Sequence, residues 1–265
     1  MAVIQKPFFV IPLPLGTITT GNEKASNPAL HLGILAQIGM TWRSTGNGSL
    51  YVRGDMGSAK AIEFVSMLSA NALSGTTIRV RLGDTQAAVD GTASYDSGAQ
   101  PFISPSISRE DGLYHSHLEL PSTQTRRWWR IDIAGHTGDF EASAVVMGKK
   151  ITPSRFYDKG WGFGVDDLGD IDINRFGVVS EEMGVIFREV EFKLSWVTEA
   201  EYETQFRPMI EKLGKRGLVY CCFDPEPSAY RQSRTYFGWF KDPPFTQSAL
   251  KPRYFSKEYK IRSMI

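Results

Sequence analysis

Residues 128–133 read WWRIDI, a pattern from which the fold class can be derived. Every second residue from Trp129 to Ile133 is apolar, and polar residues lie between them. Such alternation is typical of a β-strand with one buried face. It places Trp129 in a core and Trp128 on the outer face, because successive side chains of a strand point to opposite faces.

The same pattern extends over residues 31–153. TIRVRL at 77–82 alternates in the same way, and 62–68 and 142–147 are further strand candidates. Clusters of Gly, Asn, Asp and Pro separate these runs, and no helical pattern lies between them. Short strands with regular turns predict a jelly-roll β-sandwich, so the chain is expected to be mainly β.

Residues 154–265 are predicted to form a smaller α+β module with one helix. Its best strand covers 189–196, and further strands are expected at 218–223 and 256–261. The glycine-rich stretch 160–164 lacks a following helix, which excludes a dinucleotide loop and indicates a flexible loop with exposed aromatic side chains.

The predicted helix has clear end signals. Thr198 followed by Glu201 forms a capping box, in which each side chain reaches a backbone N–H of the first turn. Gly214 ends the helix. Pro208 lies within it and predicts a kink, because proline cannot donate the helical hydrogen bond.

Residues 1–30 are predicted to form an extended arm, because Pro7, Pro12 and Pro14 exclude a regular helix. An apolar arm must pack on the body of its own chain or on a neighbouring subunit. We expect it to dock on a neighbouring subunit or another partner. The candidate assembly residues are Phe8, Phe9, Ile11, Leu13 and Leu15 in the arm, and Trp161 and Phe163 in the second module.

Charge and composition exclude several functions. Lys and Arg number 30 and Asp and Glu 29, a net charge of +1, so no nucleic acid partner is expected. No apolar stretch is long enough for a membrane helix, so no membrane insertion is expected. Cys221 and Cys222 are adjacent and cannot bridge without strain, which indicates no disulfide and a reducing site of assembly.

One stretch partly matches a calcium loop. Asp170, Asp172, Asn174 and Glu181 occupy positions 1, 3, 5 and 12 of that template. Arg175 stands where the loop needs glycine, and an alternating strand explains the acids equally well. The chain is therefore expected to hold no metal and no cofactor, with these four residues as the alternative.

The sequence contains no constellation that predicts an enzyme. His115 and His117 have a spacing that can hold a transition metal, but two polar strand residues are the simpler explanation. There is no nucleophile elbow, phosphate loop or His-Glu-x-x-His motif. Carboxylate pairs cannot be selected from sequence alone, so a glycan hydrolase stays a third alternative.

The aromatic residues of the β half indicate a binding surface. Trp128 is flanked by arginines, and both a sugar ring and a partner subunit pack on such a surface. The alternative is a Trp128 ring covered by a loop. The candidate ligand or interface residues are Trp128, Arg126, Arg127, Arg130, Tyr95 and Tyr114.

Residues 31–153 resemble a galactose-binding-like, discoidin-type jelly roll. The resemblance rests on Trp42-Arg43, Leu50 to Val52, Ile62 to Asn71, Thr77 to Leu82, Tyr95 to Ser97, Trp128 to Ile131 and Phe140 to Gly148. It implies a β-sandwich able to carry a carbohydrate ligand. The terminal disulfide of many extracellular members is missing, and the ligand loops of that family vary too much to carry over any residue.

The second half resembles minor and distal tail proteins of long-tailed bacteriophages. The resemblance rests on Arg188 to Trp196, Thr198 to Glu201, Cys222 to Pro225, Tyr236 to Trp239 and Tyr259 to Arg262. It implies a structural component of a tail tip or baseplate, located in the virion tail and assembled in the host cytoplasm. Its partners would be copies of itself in a ring, with a hexamer favoured over a trimer, other tail proteins and host surface glycans. The alternative from another class is a carbohydrate-binding module or adhesin.

Overall fold

The computed structural model describes residues 5–244, 246–248 and 253–265. Its strands are β1 (Phe8–Val10), β2 (Thr17–Thr20), β3 (Trp42–Arg43), β4 (Tyr51–Leu68), β5 (Thr77–Gly83), β6 (Tyr95–Asp96), β7 (Gln100–Pro101), β8 (Leu118–Ala134), β9 (Glu141–Ala142), β10 (Ala144–Gly148), β11 (Lys150–Ile151), β12 (Gly162–Asp167), β13 (Asp170–Ile173), β14 (Val179–Glu182), β15 (Ile186–Thr198), β16 (Val219–Cys222), β17 (Thr235–Phe240), β18 (Thr246–Ser248) and β19 (Tyr254–Ser263). Its helices are a 3₁₀ turn (Ala29–Gly33), α1 (Gln86–Asp90) and α2 (199–213).

The first sheet has the order β10-β4-β8-β5-β6, with β2 added to β4 and β7 added to β5. Trp129 on β8 is 0% exposed and packs in a core with Trp42 and Phe140. The predicted fold class is confirmed: the chain is mainly β, with a jelly-roll-like sandwich followed by an α+β part that has one long helix.

The second sheet has the order β11-β1-β16-β17-β19-β15-β12, with β18 on β19. Its first strand comes from residues 8–10, and the others come from 150–263, so the first sheet is inserted between them. Phe9 lies opposite Ile151 on one side and Cys221 on the other. The glycine-rich stretch 160–164 was expected to be a loop, but part of it forms the edge strand β12.

The prediction that the arm docks on a neighbouring subunit is wrong for Phe8, Phe9 and Leu15. Phe8, Phe9 and Leu15 are at most 4% exposed and pack in cores of their own chain. The reason is that β1 fills the place between β11 and β16, where both of its edges form hydrogen bonds. Ile11 and Leu13 remain half-buried.

Adjacent residues of the second sheet face different cores. Phe9 and Cys221 point towards α2, while Phe8 and Cys222 point towards the first sheet. The Phe8 ring meets Phe64 of β4 at a centroid distance of 5.0 Å, so aromatic packing joins the two sheets. Burial raises the pKa of both thiols, that of Cys222 to about 12, which keeps them protonated.

Helix α2 packs on the outer face of the second sheet. It consists of Glu199–Glu201, a π-helical turn at Tyr202–Phe206 and Arg207–Leu213. The wide turn ends two residues before Pro208, which has no N–H for the regular ladder, so the predicted irregularity takes this form. No helical segment in the described part of the chain combines the length and apolar character that crossing a bilayer requires.

Half of the predicted capping box is present. The Thr198 hydroxyl accepts a hydrogen bond from the Glu201 N–H at 3.3 Å. The Glu201 carboxylate instead accepts from the N–H and hydroxyl of Ser154, at 2.7 and 2.8 Å. This contact ties the start of α2 to the segment that follows β11.

Candidate functional site

The outer face of the first sheet carries a row of polar and aromatic side chains on β8. Arg126, Trp128, Arg130 and Asp132 lie at every second position along this row. Trp129 points to the core, and Trp128 is half-buried on the outer side. The predicted assignment of the two tryptophans to opposite faces is confirmed.

Three arginines and two aspartates of this face form one hydrogen-bonded network. Arg130 donates to Asp132 at 2.9 Å and to Asp90 at 2.6 Å. Arg81 binds the second oxygen of Asp132 at 2.7 Å, and Arg53 binds the second oxygen of Asp90. The five groups together carry one surplus positive charge. Burial lowers the pKa of Arg130, but the bonds to both aspartates outweigh it and raise the pKa above its ordinary value.

A cleft of about 560 Å³ lies beside this network. This outer-face cleft is lined by Asn47, Ser49, Leu50, Tyr51, Arg130, Asp132, Ile133, Ala134, Gly135, His136 and Thr137. Tyr51 and Asp132 are cross-strand partners on β4 and β8, which brings their side chains to one face. The guanidinium carbon of Arg130 lies 3.8 Å from the centroid of the Tyr51 ring, so a cation–π contact fixes both groups.

His136 forms part of the cleft wall and already has hydrogen-bond partners. Its Nδ1 lies 3.2 Å from the Thr76 hydroxyl, and its Nε2 lies 3.3 Å from the Asp139 carbonyl. The hydroxyl groups of Tyr51 and Thr137 make no hydrogen bond within the described part of the chain. The cleft therefore offers an aromatic ring, a fixed Arg–Asp pair and hydroxyl groups that a ligand can reach.

The six ligand candidates predicted from sequence do not come together. Arg130 lies in the cleft, and Trp128 lies two residues further along the same face. Tyr95 is on the edge strand β6 and packs towards the first core. Tyr114 is only 9% exposed, and its hydroxyl accepts from the Arg109 N–H, so it is a core residue.

The two other candidate arginines bind carboxylates outside the cleft. Arg127 donates to both oxygens of Asp55 at 2.6 Å, and Arg126 donates to Asp84 at 2.8 Å. Sequence reasoning missed Tyr51 and Asp132 as cleft residues. The sequence pattern around each residue indicates a strand, but it does not predict the register that places Tyr51 opposite Asp132.

The four calcium candidates do not converge. Asp170 and Asp172 lie on one face of β13, whereas Glu181 is the cross-strand partner of Ile171 and lies on the other face. The Asn174 side chain accepts hydrogen bonds from two backbone N–H groups of the turn. Among the described residues, no group of three or more His, Cys, Asp or Glu side chains could hold a metal.

The two clustered histidines lie in the interior rather than on a strand face. His115 accepts a hydrogen bond from the Ser69 N–H at 3.0 Å, and burial lowers its pKa to about 3. His117 lies 3.0 Å from Glu119, and burial lowers its pKa as well, although the hydrogen bond to Glu119 opposes this. Both imidazoles are therefore neutral parts of the packing between the two sheets.

Trp161 and Phe163 begin an exposed apolar segment. They are 41% and 45% exposed, and their rings contact Phe223 at 5.4 and 5.3 Å between centroids. The segment continues through the hairpin β13–β14, whose strands pair with each other. We call residues 168–185 the apolar hairpin; it includes Phe176 and Met183, which are 75% and 94% exposed.

A second surface lies at the opposite end of the second sheet. This basic groove of about 330 Å³ is lined by Ile11, Leu13, Ala61, Lys149, Lys150, Ile151, Thr204, Gln205, Pro208, Met209 and Lys212. It runs along the edge strand β11 and the helix α2. Ile11 and Leu13, which were expected to dock on a partner, form part of its apolar floor.

Comparisons with known proteins find similar folds but no family. A scan against protein-family models finds no match, and a search of curated proteins finds none. Among solved structures, a fucose-binding module from Streptococcus pneumoniae has 10% identity and a TM-score of 0.39, covering 52% of this chain and 95% of that one. The family 32 carbohydrate-binding module of NanJ from C. perfringens, in complex with galactose, has 13% identity and a TM-score of 0.39, covering 53% and 98%. A chitosan-binding module from Paenibacillus sp. IK-5 has 12% identity and a TM-score of 0.37, covering 53% and 98%.

Proposed function

We propose that this protein binds carbohydrate without catalysing a reaction and that the outer-face cleft is the binding site. The observation that carries the proposal is the arrangement of Tyr51, Arg130 and Asp132 in one cleft of about 560 Å³. That volume lies within the range of small-molecule sites, roughly 300–1,000 Å³.

The chemistry of the cleft fits a sugar. Adjacent hydroxyl groups of a sugar both donate and accept hydrogen bonds, and Arg130 and Asp132 supply a donor and an acceptor next to each other. Their mutual bond and the cation–π contact to Tyr51 hold them before a ligand arrives, which reduces the entropy lost on binding. The surplus positive charge of the network favours a sugar that carries a carboxylate.

Calorimetric titration of the purified protein tests this proposal. The panel contains fucose, galactose, glucosamine oligomers and uronic acid oligomers, the last at two salt concentrations. We expect the uronic acid oligomers to bind most tightly and to weaken as salt rises, because salt screens the charge attraction. No binding by any member of the panel would contradict the proposal.

Two variants of cleft residues, Tyr51→Phe and Thr137→Ala, locate the site. Tyr51→Phe keeps the ring but removes the hydroxyl, and we expect about 2- to 10-fold weaker binding, since a hydrogen bond contributes about 0.5–1.5 kcal/mol. Tyr230→Phe is the matched control, because Tyr230 is 62% exposed and lies outside the cleft. Sugar binding that Tyr51→Phe and Thr137→Ala both leave unchanged would place the ligand elsewhere.

A structural role in a bacteriophage tail is the second candidate. It is supported by the resemblance of residues 188–262 to tail proteins and is favoured by one specific observation, the exposed apolar hairpin. In this role the chain assembles in the host cytoplasm with copies of itself and other tail proteins, and its cleft contacts host glycans. Immunogold labelling of purified phage particles with an antibody against this protein tests the role. Label at the tail tip supports it, and unlabelled tails argue against it.

A further inference from the structure

The distribution of exposed apolar side chains is strongly uneven. In the described part of the chain, 17 large hydrophobic side chains are exposed, and 12 of them lie within residues 161–186. Soluble monomers rarely expose contiguous apolar patches of this kind, and such patches mark interaction sites. The apolar hairpin is therefore the part of the surface that most needs a partner.

The two faces of the hairpin differ in chemistry. Ile173 lies opposite Val179, and Ile171 opposite Glu181, so one face is mainly apolar. Asp170 and Asp172 lie on the other face, with Asp170 opposite Glu182. A two-stranded hairpin alone is marginally stable in water. Like charges placed directly opposite each other weaken it further, which strengthens the case that it packs on something.

The basic groove has the complementary character. Its apolar floor includes Ile11, Ile151 and Met209, and Lys149, Lys150 and Lys212 line its rim. None of its described lining residues is acidic, although Glu119 binds Lys150 at 2.5 Å from outside the groove. The hairpin carries four acidic residues and one arginine, and one of these acids, Glu181, lies on its mainly apolar face. The two surfaces therefore have opposite net charge, and both carry apolar side chains.

One copy cannot bring these two surfaces together. The groove runs along β11 and the hairpin continues from β12, and these are the two terminal strands of the second sheet. Five strands separate them, which corresponds to about 29 Å at the usual spacing between strands. The surface that fits the hairpin is therefore the groove of another copy.

We propose that the apolar hairpin of one copy docks in the basic groove of a second copy, so that the chain associates head to tail. Such a contact joins two different surfaces. An open assembly therefore has a free hairpin at one end and a free groove at the other. The contact gives a ring if the rotation between copies closes and a filament if it does not. The proposal does not depend on sugar binding, because both surfaces lie outside the outer-face cleft.

Complementary variants of the full chain test the proposal. The hairpin variant Ile171→Ser/Ile173→Ser keeps an intact groove, and the groove variant Lys149→Glu/Lys212→Glu keeps an intact hairpin. The mass of each is measured by light scattering over a concentration series. We expect wild type to form oligomers that weaken with salt, and each variant to associate at least tenfold more weakly. Lys215→Glu/Arg216→Glu, the same charge change outside the groove lining, is expected to behave as wild type.

Mixing the two variants gives the decisive result. Head-to-tail docking predicts a one-to-one dimer that grows no further, because only one functional hairpin and one functional groove meet. A monomeric wild type would overturn the proposal and leave the hairpin to a different partner. Oligomers that survive in both variants, or a mixture that stays monomeric, would overturn it as well. Circular dichroism melts of all variants check that each is folded.

Discussion

The indole of Trp129 lies directly against Gly54 on the neighbouring strand. A Cβ atom at Gly54 would be 2.6 Å from Cε2, Cζ2 and Nε1 of the ring, closer than side chains approach. The same Nε1 donates a hydrogen bond to the Leu15 carbonyl at 3.0 Å. The close approach between β4 and β8 therefore positions the ring and, through it, the segment that leads from β1 into the first sheet.

We expect Gly54→Ala to destabilise the protein by about 1–3 kcal/mol, because the added methyl group must displace a fully buried ring. Gly39→Ala is the matched control, since a Cβ there has open space around it. Urea denaturation of both variants measures the effect. Equal stability of the two would mean that the Trp129 ring can shift without cost.

The two tryptophans of β8 should respond differently to truncation. Trp129→Ala is expected to cost about 3–5 kcal/mol through lost burial and an unfilled cavity. Trp128→Ala should cost much less, because its ring is half-buried on the outer face. Chemical denaturation of both variants measures the difference. A larger effect of Trp128→Ala would mean that the strand register is shifted by one residue.

The short strand β1 is expected to be essential for folding rather than for assembly. Phe9 is 0% exposed, and its ring meets Tyr259 and Phe192 at 5.0 and 5.8 Å between centroids. We expect Phe9→Ala to lower the free energy of unfolding by about 3–5 kcal/mol. Tyr230→Ala, at a ring that is 62% exposed and lies outside the apolar hairpin, should change it by less than about 0.5 kcal/mol. If Phe9→Ala is as stable as Tyr230→Ala, β1 is not part of the core.

Local sequence patterns predicted the elements that bury only one face or that are defined by signals within their own residues. The alternation around Trp129 and the end signals at Thr198 and Gly214 identified a core strand and a helix, because they depend on period and capping. The place of Phe9 was not predictable in this way. Its strand pairs with residues at least 140 positions away, and a three-residue apolar run carries no information about which edge it joins.

The candidate site was also only partly predictable, because strand pairing between distant residues brings its side chains together. Arg130 was selected from sequence because it neighbours two tryptophans, and the structure places it in the cleft. Tyr51 was not selected, because its contact with Arg130 arises from the pairing of β4 with β8, which local sequence patterns do not specify. Tyr114 was selected as an aromatic residue, but aromatic character alone does not separate a core ring from a binding surface.

Buried histidines should make the protein sensitive to acid. His115 is 3% exposed, and burial, followed by the positive charges of Arg109 and Arg188, lowers its pKa to about 3 from about 6.5. The unfolded chain therefore binds a proton between these values and the folded chain does not. The stability that the neutral imidazole provides is fully present above pH 6.5 and is lost as the pH falls towards 3. The expected loss is about 1.4 kcal/mol per pH unit within that window.

Comparison with His115→Asn isolates this effect, because the carboxylates that also titrate in acid are common to both proteins. Asparagine can still accept the hydrogen bond that the Ser69 N–H donates to Nδ1, but it does not titrate. Urea denaturation at pH 7.5, 6.5, 5.5 and 4.5 should show a stability that falls less steeply for the variant, by about 1.4 kcal/mol per pH unit below pH 6.5. Parallel pH profiles of the two proteins would show that His115 binds its proton in the folded state, and the dry packing between the two sheets would then have to admit water.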